Sequence, residues 1–570
     1  INGGRTLEID LNGHNISAPS KVISIANAKV DFTGKGKIYE STDDQFGALL
    51  IAGSSEDVSD YTVVNVGENV TLAGWSGIFI AKDAAGGYKN YGIVVNCNGS
   101  LENPGMDTHT TSGDAIYING SNIKTTGNIP KINLDGCRLK SKGLGIYAAG
   151  YAEWTLSNCK VEGDESAIEI RAGKMTIDGG TYTSNAESFD VEPNGNGTTT
   201  KGAALGISQH TTNLPIEVVV NRGTFNGAYA IWEKDVQNET ARDQIKLTVN
   251  DGIFNGAIYS QNNPNAIVNG TYSDPSALHY LAEGADVKIE MTADNEIASE
   301  VSVSQKAEIN LNDHKLKVSA YFSTIGSGSL AISNGSIECV DPSQYGTNPQ
   351  IRSYGSSLMS FDDVKMTSNG SAVYVGEECN FTIKNSTIEA NTFGISTNAS
   401  DSSQNPTINV DNCTITGSDP ILVNIPCSLT VKASELKGTM HGTVVRGGTA
   451  TFTDCQISLN YPDDDANDMA NYFVSRDWGQ GNTVNLAAMT IGNKHTTSYQ
   501  YPTNVSLVNT EVKVEGEYAS FFPALYAYAN SGEGLGVTLT YDENCTFTGG
   551  TGMSYGSTNI VVNGTAVNAE

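Results

Sequence analysis

Apolar and polar residues alternate in short runs along most of the chain, and the runs share one phrase. An apolar-rich triplet is followed by one or two of Asp, Asn or Gly, then a small residue and a second apolar position. Clear copies are INLDGCRL from Ile132, WTLSNCKV from Trp154, MTIDGGTY from Met175, VVVNRGTF from Val218, LTVNDGIF from Leu247, FTIKNSTI from Phe381, INVDNCTI from Ile408 and TFTDCQI from Thr451. Within runs, the copies recur mostly every 19 to 29 residues. Alternation with period two is typical of β-strands.

A second strand-like phrase follows most copies of the first by about ten residues. Its copies are AIYI from Ala115, GIYA from Gly145, AIEI from Ala167, AIW from Ala230, AIY from Ala257, AVYV from Ala372 and GIS from Gly394. Two or three short strands in each repeat cannot bury an apolar face alone, whereas stacked coils can. We therefore predict an all-β fold, a right-handed parallel β-helix, with Gly and Asn at the turns between strands.

The chain also contains a long-range duplication. LEIDLNGHNI at 7–16 returns as AEINLNDHKL at 307–316, an offset of about 300 residues. The pattern predicts two tandem β-helical halves, residues 1–285 and 286–570.

A short helix is predicted between the halves, in SDPSALHYLAEGADVKI at 273–289. Asp274 suits the N-cap, Pro275 suits the first turn, and Gly284 suits the C-terminal end.

Composition narrows the classes of partner. The 63 acidic and 33 basic residues leave a net charge of −30, which disfavours nucleic acid and anionic membranes. Apolar runs stay far below the roughly 18 residues of a spanning helix, so no membrane insertion is expected. The first residues, INGGRTLEID, include no initiator Met or signal segment, and we interpret the chain as a processed or trimmed piece.

Several phrases carry a family resemblance that extends over most of the chain. LEIDLNGHNI, GGTY, GTF and NGTYSDPSALHYLAEG resemble the pectin-lyase-like β-helix surface proteins of gut and other anaerobic bacteria. Many such proteins are called adhesin-like. The resemblance implies the β-helix fold and an extracellular address, secreted or at the cell surface; it implies no reaction.

The nine cysteines include no pair separated by two residues, and the seven histidines have no ligand spacing. Cys137, Cys159, Cys413, Cys455 and Cys545 occupy the small-residue position of the repeat, which predicts buried thiols and few or no disulfides. A metal centre built on histidine is not expected.

The densest acidic segment is YPDDDANDMANYF at 461–473. Asp463, Asp465 and Asp468 could bind Ca²⁺ irregularly, although the segment lacks the Gly and Glu of an EF-hand loop. The other interpretation is a solvated acidic insertion. We expect no cofactor, with Ca²⁺ as the open alternative.

An enzyme on this fold needs either paired carboxylates on neighbouring coils for glycoside hydrolysis, or a carboxylate-bound Ca²⁺ with a Lys or Arg base for lyase chemistry. The G-D-D, G-H-G and R-I-K phrases of polygalacturonase-like hydrolases are absent in that form, and the nearest phrase, SGDAIYI from Ser112, has one Asp. The remaining candidates are Asp164, Glu165 and Glu169 as acid, base or nucleophile, with Arg171 to stabilise negative charge.

The second strands of the first half place a set of large side chains in one outward column. The column contains Tyr117, Tyr147, Glu169, Trp232 and Tyr259, and a second outward column contains Asn119, Arg171, Lys234 and Gln261. Aromatic faces beside polar groups suit sugar rings, so Tyr117, Tyr147, Trp232, Tyr259 and Lys234 are the ligand-binding candidates. Alternatively, the aromatics merely favour strands, or loops such as 183–215 cover them. In the second half, Tyr374, Ser396 and Leu422 do not continue the column, so we expect a site on the first half.

Three functions fit these observations. The favoured one is a secreted or cell-surface bacterial β-helix, adhesin-like or glycan-binding, without catalysis. Its partner would be a glycan or a ligand on a host or bacterial surface. The alternative is a carbohydrate-active enzyme, a glycoside hydrolase or polysaccharide lyase. A weaker alternative is a phage tail-spike-like fibre, which would form trimers, whereas we expect a monomer.

Overall fold

The structure is a computed structural model, and it contains two compact units, Ile1–Lys288 and Ile289–Glu570. It describes residues 1–42, 46–81, 90–105, 113–194, 197–234, 244–341, 348–397, 405–462, 476–477, 483–484, 486–492, 501–529 and 534–567. Each unit is built from parallel strands that recur coil after coil, which confirms the predicted all-β parallel β-helix.

In the first unit, each complete coil contributes strands to three parallel ladders. The first ladder contains Arg5–Asp10, Ala28–Thr33, Thr62–Val66, Ile93–Cys97, Lys131–Asp135, Glu153–Gly163, Gly173–Ser184, Ile216–Glu233, Ile245–Val249 and Ile267–Tyr272. The second adds Ile16–Ala18, Gly36–Glu40, Val70–Ala73, Ser100–Asn103, Arg138–Ser141 and Ile253–Ser260. The third adds Ile23–Ala26, Leu49–Ala52, Ile78–Ile80, Ile116–Ile118, Ile146–Ala148, Ile168–Ile170 and Ala203–Ile207. The longest strands run through more than one ladder, so the polypeptide bends without leaving strand geometry.

Two elements of the first unit depart from the ladders. An antiparallel hairpin, Asp190–Asn194 with Gly197–Lys201, projects between successive coils. A 3₁₀-helix, Pro275–Tyr280, begins as predicted, with Asp274 accepting a hydrogen bond from the Ser276 N–H at 2.8 Å. The prediction that this helix ends at Gly284 is wrong, because the chain returns to extended geometry at Leu281 in strand Leu281–Glu290.

The second unit repeats the three-ladder arrangement. Its first ladder contains Lys306–Asn310, Ser329–Cys339, Leu358–Ser368, Asn380–Lys384, Thr407–Asp411, Cys427–Lys432, Gly448–Thr453, Thr503–Val508, Val537–Tyr541 and Ile560–Val562. The second adds Asn295–Ile297, Lys315–Val318, Thr387–Ala390, Thr414–Gly417, Glu435–Gly438, Gln456–Asn460, Glu511–Glu515 and Thr546–Thr548. The third contains Val301–Val303, Phe322–Thr324, Ile351–Ser353, Val373–Val375, Phe393–Ser396, Asp419–Val423, Thr443–Val445, Met489–Gly492, Leu525–Tyr528 and Met553–Tyr555. Antiparallel pairs join Arg476–Asp477 to Thr483–Val484 and Ile560–Val562 to Thr565–Val567.

Inward side chains form continuous stacks, because parallel pairing places equivalent residues of successive coils directly above one another. The stacked first-ladder residues Val30, Val64, Val95, Ile132, Trp154, Met175, Val218 and Leu247 are all buried. A separate interior stack is aromatic: the rings of Tyr182, Phe225, Phe254 and Tyr272 are parallel, with centroids 4.9, 5.1 and 4.8 Å apart in order. Close packing in such stacks locks each coil to the next.

The turn after the first-ladder strand uses the left-handed backbone region, as the Gly and Asn content predicts. Asn158, Asn385 and Asn412 have φ of 51°, 52° and 52° at this turn. In the next coil after Asn412, the same position holds Ala433, with φ of 45°. Alanine has no polar side chain to compensate for this conformation.

Four cysteines of the small-residue position, Cys137, Cys159, Cys413 and Cys455, are buried as predicted, whereas Cys545 is only half-buried. The Cys137 thiol donates to the Cys97 carbonyl, with 2.7 Å between sulfur and oxygen. A hydrogen bond between the Cys137 and Cys159 side chains raises the pKa of Cys137. These cysteines are therefore small core residues that also contact one another between coils.

Candidate functional site

The predicted outward column exists in the strand register of the third ladder. Tyr117 is paired with Tyr147, Tyr147 with Glu169, and Trp232 with Tyr259. The alignment of the repeats in the sequence missed two residues of this column. Phe79 precedes Tyr117, and Gly206 lies between Glu169 and Trp232. The aromatic residues therefore form two separate segments. Phe79 could have been found from GIFI at 77–80, which matches the second repeated phrase.

The first segment is a stack of rings along successive coils. Phe79 and Tyr117 have centroids 4.8 Å apart and planes inclined by 12°, and Tyr117 and Tyr147 are 4.8 Å apart at 15°. Trp75 lies beside them, 6.1 Å from Phe79 and 5.6 Å from Tyr117. We call Trp75, Phe79, Tyr117 and Tyr147 the aromatic strip. Trp75, Tyr117 and Tyr147 are half-buried, while Phe79 is 9% exposed.

One end of the aromatic strip is fixed by a cation. The Arg171 guanidinium carbon is 4.7 Å from the centroid of the Tyr147 ring, and Arg171 Nη1 donates to the Tyr147 hydroxyl at 2.9 Å. Burial raises the pKa of Tyr117 to about 12 and also raises that of Tyr147. Both hydroxyls are therefore neutral donors near pH 7.

Arg171 and Glu169 point out of the coil but are not accessible to solvent. Each side chain is 0% exposed, and Arg171 Nε donates to Glu169 Oε1 at 2.5 Å. The hairpin covers them: Arg171 Nη2 donates to Thr199 Oγ1 at 2.9 Å, and Glu169 Oε2 accepts from the Thr200 N–H at 2.7 Å. At this coil the side chains point outward as predicted, and the alternative that residues of the 183–215 loop cover the column applies.

A carboxyl group next to the aromatic strip was not among the sequence candidates. Asp114 is 6% exposed, and its Oδ1 accepts from the Leu144 N–H at 3.0 Å. Within the described chain, its second oxygen, Oδ2, receives no hydrogen bond. Burial is the main cause that raises the pKa of Asp114 well above the usual range, and the negative charges of Glu165 and Glu169 raise it further. Asp114 is the single Asp of SGDAIYI.

The other predicted carboxylates lie at the margin of this region. Asp164 Oδ2 accepts from Lys142 Nζ at 2.8 Å, and both side chains are well exposed. Glu165 is half-buried, close enough to Asp114 to raise its pKa. Glu165 also anchors the hairpin through its backbone, since its carbonyl accepts from the Gly202 N–H at 2.8 Å. The structure thus brings Asp114 and Glu165 together beside the aromatic strip and leaves Asp164 outside.

The second aromatic segment is more closed. Trp232 is 5% exposed, with its ring 5.4 Å from Phe189 and 6.4 Å from Tyr259. Tyr259 and Lys234 are half-buried. Phe189 comes from the segment leading into the hairpin, so this part of the column is largely covered by the same loop.

The calcium candidates Asp463, Asp465 and Asp468 lie outside the described residues. In the parts of the chain that are described, no group of three or more His, Cys, Asp or Glu side chains is arranged to hold a metal ion. A search of the same parts for a helix long and apolar enough to span a membrane found none.

Comparison with known proteins does not assign the chain to a family. The chain matches no protein-family model, and neither the curated proteins nor the solved structures compared with it include a match.

Proposed function

We propose that this chain is an adhesin-like, glycan-binding β-helix of the pectin-lyase-like kind, secreted or displayed on a bacterial surface, and that it works without catalysis. The aromatic strip is the observation that carries the proposal. Its rings repeat at 4.8 Å along successive coils, stacked face to face, and Trp75, Tyr117 and Tyr147 are half-buried, so part of each ring is accessible to a ligand. Sugar rings have an apolar C–H face for such a ring and a rim of hydroxyls for its polar neighbours.

The charge of the protein indicates which glycans suit it. A net charge of −30 repels polyuronates, and Asp114 and Glu165 add acidic groups beside the aromatic strip. The neutral Tyr117 hydroxyl and the Asp114 carboxyl are hydrogen-bonding partners for sugar hydroxyls. The proposed ligand class is therefore an uncharged glycan that lies along several coils.

A glycan array probed with the full chain tests this proposal, followed by titration of each glycan that binds. Trp75→Ala and Tyr117→Ala should each weaken binding by about tenfold or more, the loss expected for a central aromatic contact. Phe521→Ala, at an exposed aromatic residue of the second unit, is the control and should leave binding unchanged. Absence of binding above background, or equal losses in all three variants, would contradict the proposal.

A second candidate function is hydrolysis of the same kind of glycan, and the Asp114 carboxyl favours it. A carboxyl whose pKa is raised by burial is suited to donate a proton to a glycosidic oxygen, while Glu165 would accept a proton from the attacking water. Glu169 is unsuited to either role because Arg171 and the hairpin hold both of its oxygens.

Release of reducing ends from a panel of neutral polysaccharides separates the two functions. Hydrolysis predicts that Asp114→Asn and Glu165→Gln abolish release, whereas Asp164→Asn, at the exposed ion pair with Lys142, leaves it intact. A wild-type protein that releases nothing while it binds glycan would support the binding function instead.

A further inference from the structure

The second unit carries a separate polar groove with an aromatic wall. Tyr321 is 37% exposed, an unusual exposure for a large side chain in this protein. It lines a groove of about 340 Å³ together with Glu300, Asp341, Asn348 and Gln350. We call this groove the Tyr321 groove. Its volume is at the lower end of the range for small-ligand sites, which fits one sugar residue.

The side chain of Arg352, in the third-ladder strand Ile351–Ser353, packs against the Tyr321 ring. The Arg352 guanidinium carbon is 3.6 Å from the centroid of the Tyr321 ring. Arg352 Nε donates to the Pro349 carbonyl at 2.8 Å, which fixes the guanidinium in place. The next residue of the same column, Tyr374, packs 5.4 Å from Tyr354. The Arg352 guanidinium thus packs against the Tyr321 ring, part of which remains open to solvent.

A buried polar side chain lines the same groove. Gln350 is 2% exposed, and its Nε2 donates to the Asn348 carbonyl at 3.0 Å. Within the described chain, Gln350 Oε1 accepts no hydrogen bond. An acceptor without a protein partner at a groove is a position where a ligand donor can form a hydrogen bond.

The acidic residues of the Tyr321 groove favour neutral sugars over anionic ones. Glu300 is exposed and Asp341 is 5% exposed, so two carboxylates line the same space. These carboxylates repel an anionic sugar, and the exposed Glu300 carboxylate can accept hydrogen bonds from hydroxyls. A neutral hexose offers an apolar face to Tyr321 and a hydroxyl donor to Gln350 Oε1.

We propose that the Tyr321 groove is a second sugar-binding site, which takes one neutral hexose residue independently of the aromatic strip. The inference rests on the proposed glycan-binding function but places a site in the second unit, where the column pattern in the sequence gave no expectation of one.

The test uses the full chain and two readouts. Saturation-transfer NMR with methyl glycosides of neutral hexoses, at millimolar concentration, should give signals that Tyr321→Ala and Gln350→Leu reduce and Tyr117→Ala does not remove. On the glycan array, Tyr321→Ala should weaken binding of a subset of glycans by about tenfold or more. Phe521→Ala, at another exposed aromatic residue of the second unit, is the control and should change neither readout.

The outcomes separate this inference from the proposed function. If every response depends on Tyr117 and none on Tyr321 or Gln350, the groove is not a sugar site and the aromatic strip stands. If the responses depend on Tyr321 alone, the groove is supported as a sugar site and the proposal that the aromatic strip binds glycan is contradicted. If no glycoside or glycan gives a response, both are overturned. Circular dichroism of each variant confirms that the β-helix remains folded.

Discussion

Arg171 and Glu169 form an ion pair inside the protein, with 2.5 Å between Nε and Oε1 and neither side chain exposed. The pair lies where the outward column is interrupted and where the hairpin meets the coil. It therefore connects three features: the end of the aromatic strip through Tyr147, the coil itself, and the hairpin through Thr199 and Thr200.

Arg171→Met should destabilise the protein by about 3–5 kcal/mol, because it leaves the Glu169 carboxylate buried without its partner. Adding Glu169→Gln to Arg171→Met should recover most of the loss, since no buried charge then remains. Denaturant unfolding measures both changes. Lys174→Met, which breaks the exposed pair with Glu217, is the control and should have little effect. Equal stability of Arg171→Met and wild type would show that the pair does not support the fold.

Asp114 makes stability depend on pH. Burial raises the pKa of Asp114 in the folded chain above the ordinary value of 3.8. At a pH between 3.8 and that raised pKa, the folded chain keeps a proton on Asp114 that the unfolded chain has lost. The contribution of the protonated Asp114 carboxyl to the free energy of unfolding is complete below pH 3.8 and is lost as the pH rises through the raised pKa. Across this window the free energy of unfolding falls by about 1.4 kcal/mol per pH unit. Asp114→Asn should remove this fall, and a wild-type slope retained in the variant would contradict the assignment.

Ala433 occupies a turn position that asparagine fills in neighbouring coils. At the equivalent turns, Asn412 Nδ2 donates to Asn385 Oδ1 at 3.0 Å, and both residues tolerate the left-handed backbone. Ala433→Asn should therefore raise the free energy of unfolding by about 1 kcal/mol. Hydrogen exchange of the coils on either side is the measurement. Ala433→Val, which is β-branched, should have the opposite effect, and a stabilising Ala433→Val would refute the explanation.

The sequence predicts Trp232 as a ligand-binding residue, but its packing in the structure predicts that its replacement lowers the stability of the fold. With 5% of its surface exposed between Phe189 and Tyr259, Trp232→Ala should cost about 3–5 kcal/mol of stability. Trp232→Phe should retain most of that stability. Thermal unfolding of the two variants distinguishes packing from binding, and a fully stable Trp232→Ala would mean that the ring does not contribute to the core.

The sequence was most informative where one local period determines the structure. Alternation with period two places Ile116 inward and Tyr117 outward, and the repeat then aligns Tyr117 with Tyr147 without knowledge of tertiary structure. The turn residues follow the same logic, since Asn158 and Asn412 stand where the backbone needs positive φ. The β-helix and the column could therefore be read from the chain.

Contacts between distant segments could not be read in this way. The burial of Glu169 depends on Thr200, which follows it by 31 residues in a hairpin outside the repeat. Asp114 stands in the phrase SGDAIYI, but its raised pKa arises from burial and from Glu165 on a later coil, which the phrase does not reveal. The Tyr321 groove likewise combines residues of several coils. A repeat indicates which residues share a column, whereas coverage of that column depends on the insertions.

Phe225 lies at the middle of the interior aromatic stack, with its ring 4.9 Å from Tyr182 and 5.1 Å from Phe254. Phe225→Ala should cost about 3–5 kcal/mol, because it leaves a cavity between two fixed rings and removes both stacking contacts. In a solenoid each coil contacts only its neighbours, so hydrogen exchange should accelerate first in the strands around Tyr182 and Phe254. Phe225→Leu fills more of the space and should cost less. Uniform acceleration across the whole first unit would instead show that its coils unfold together.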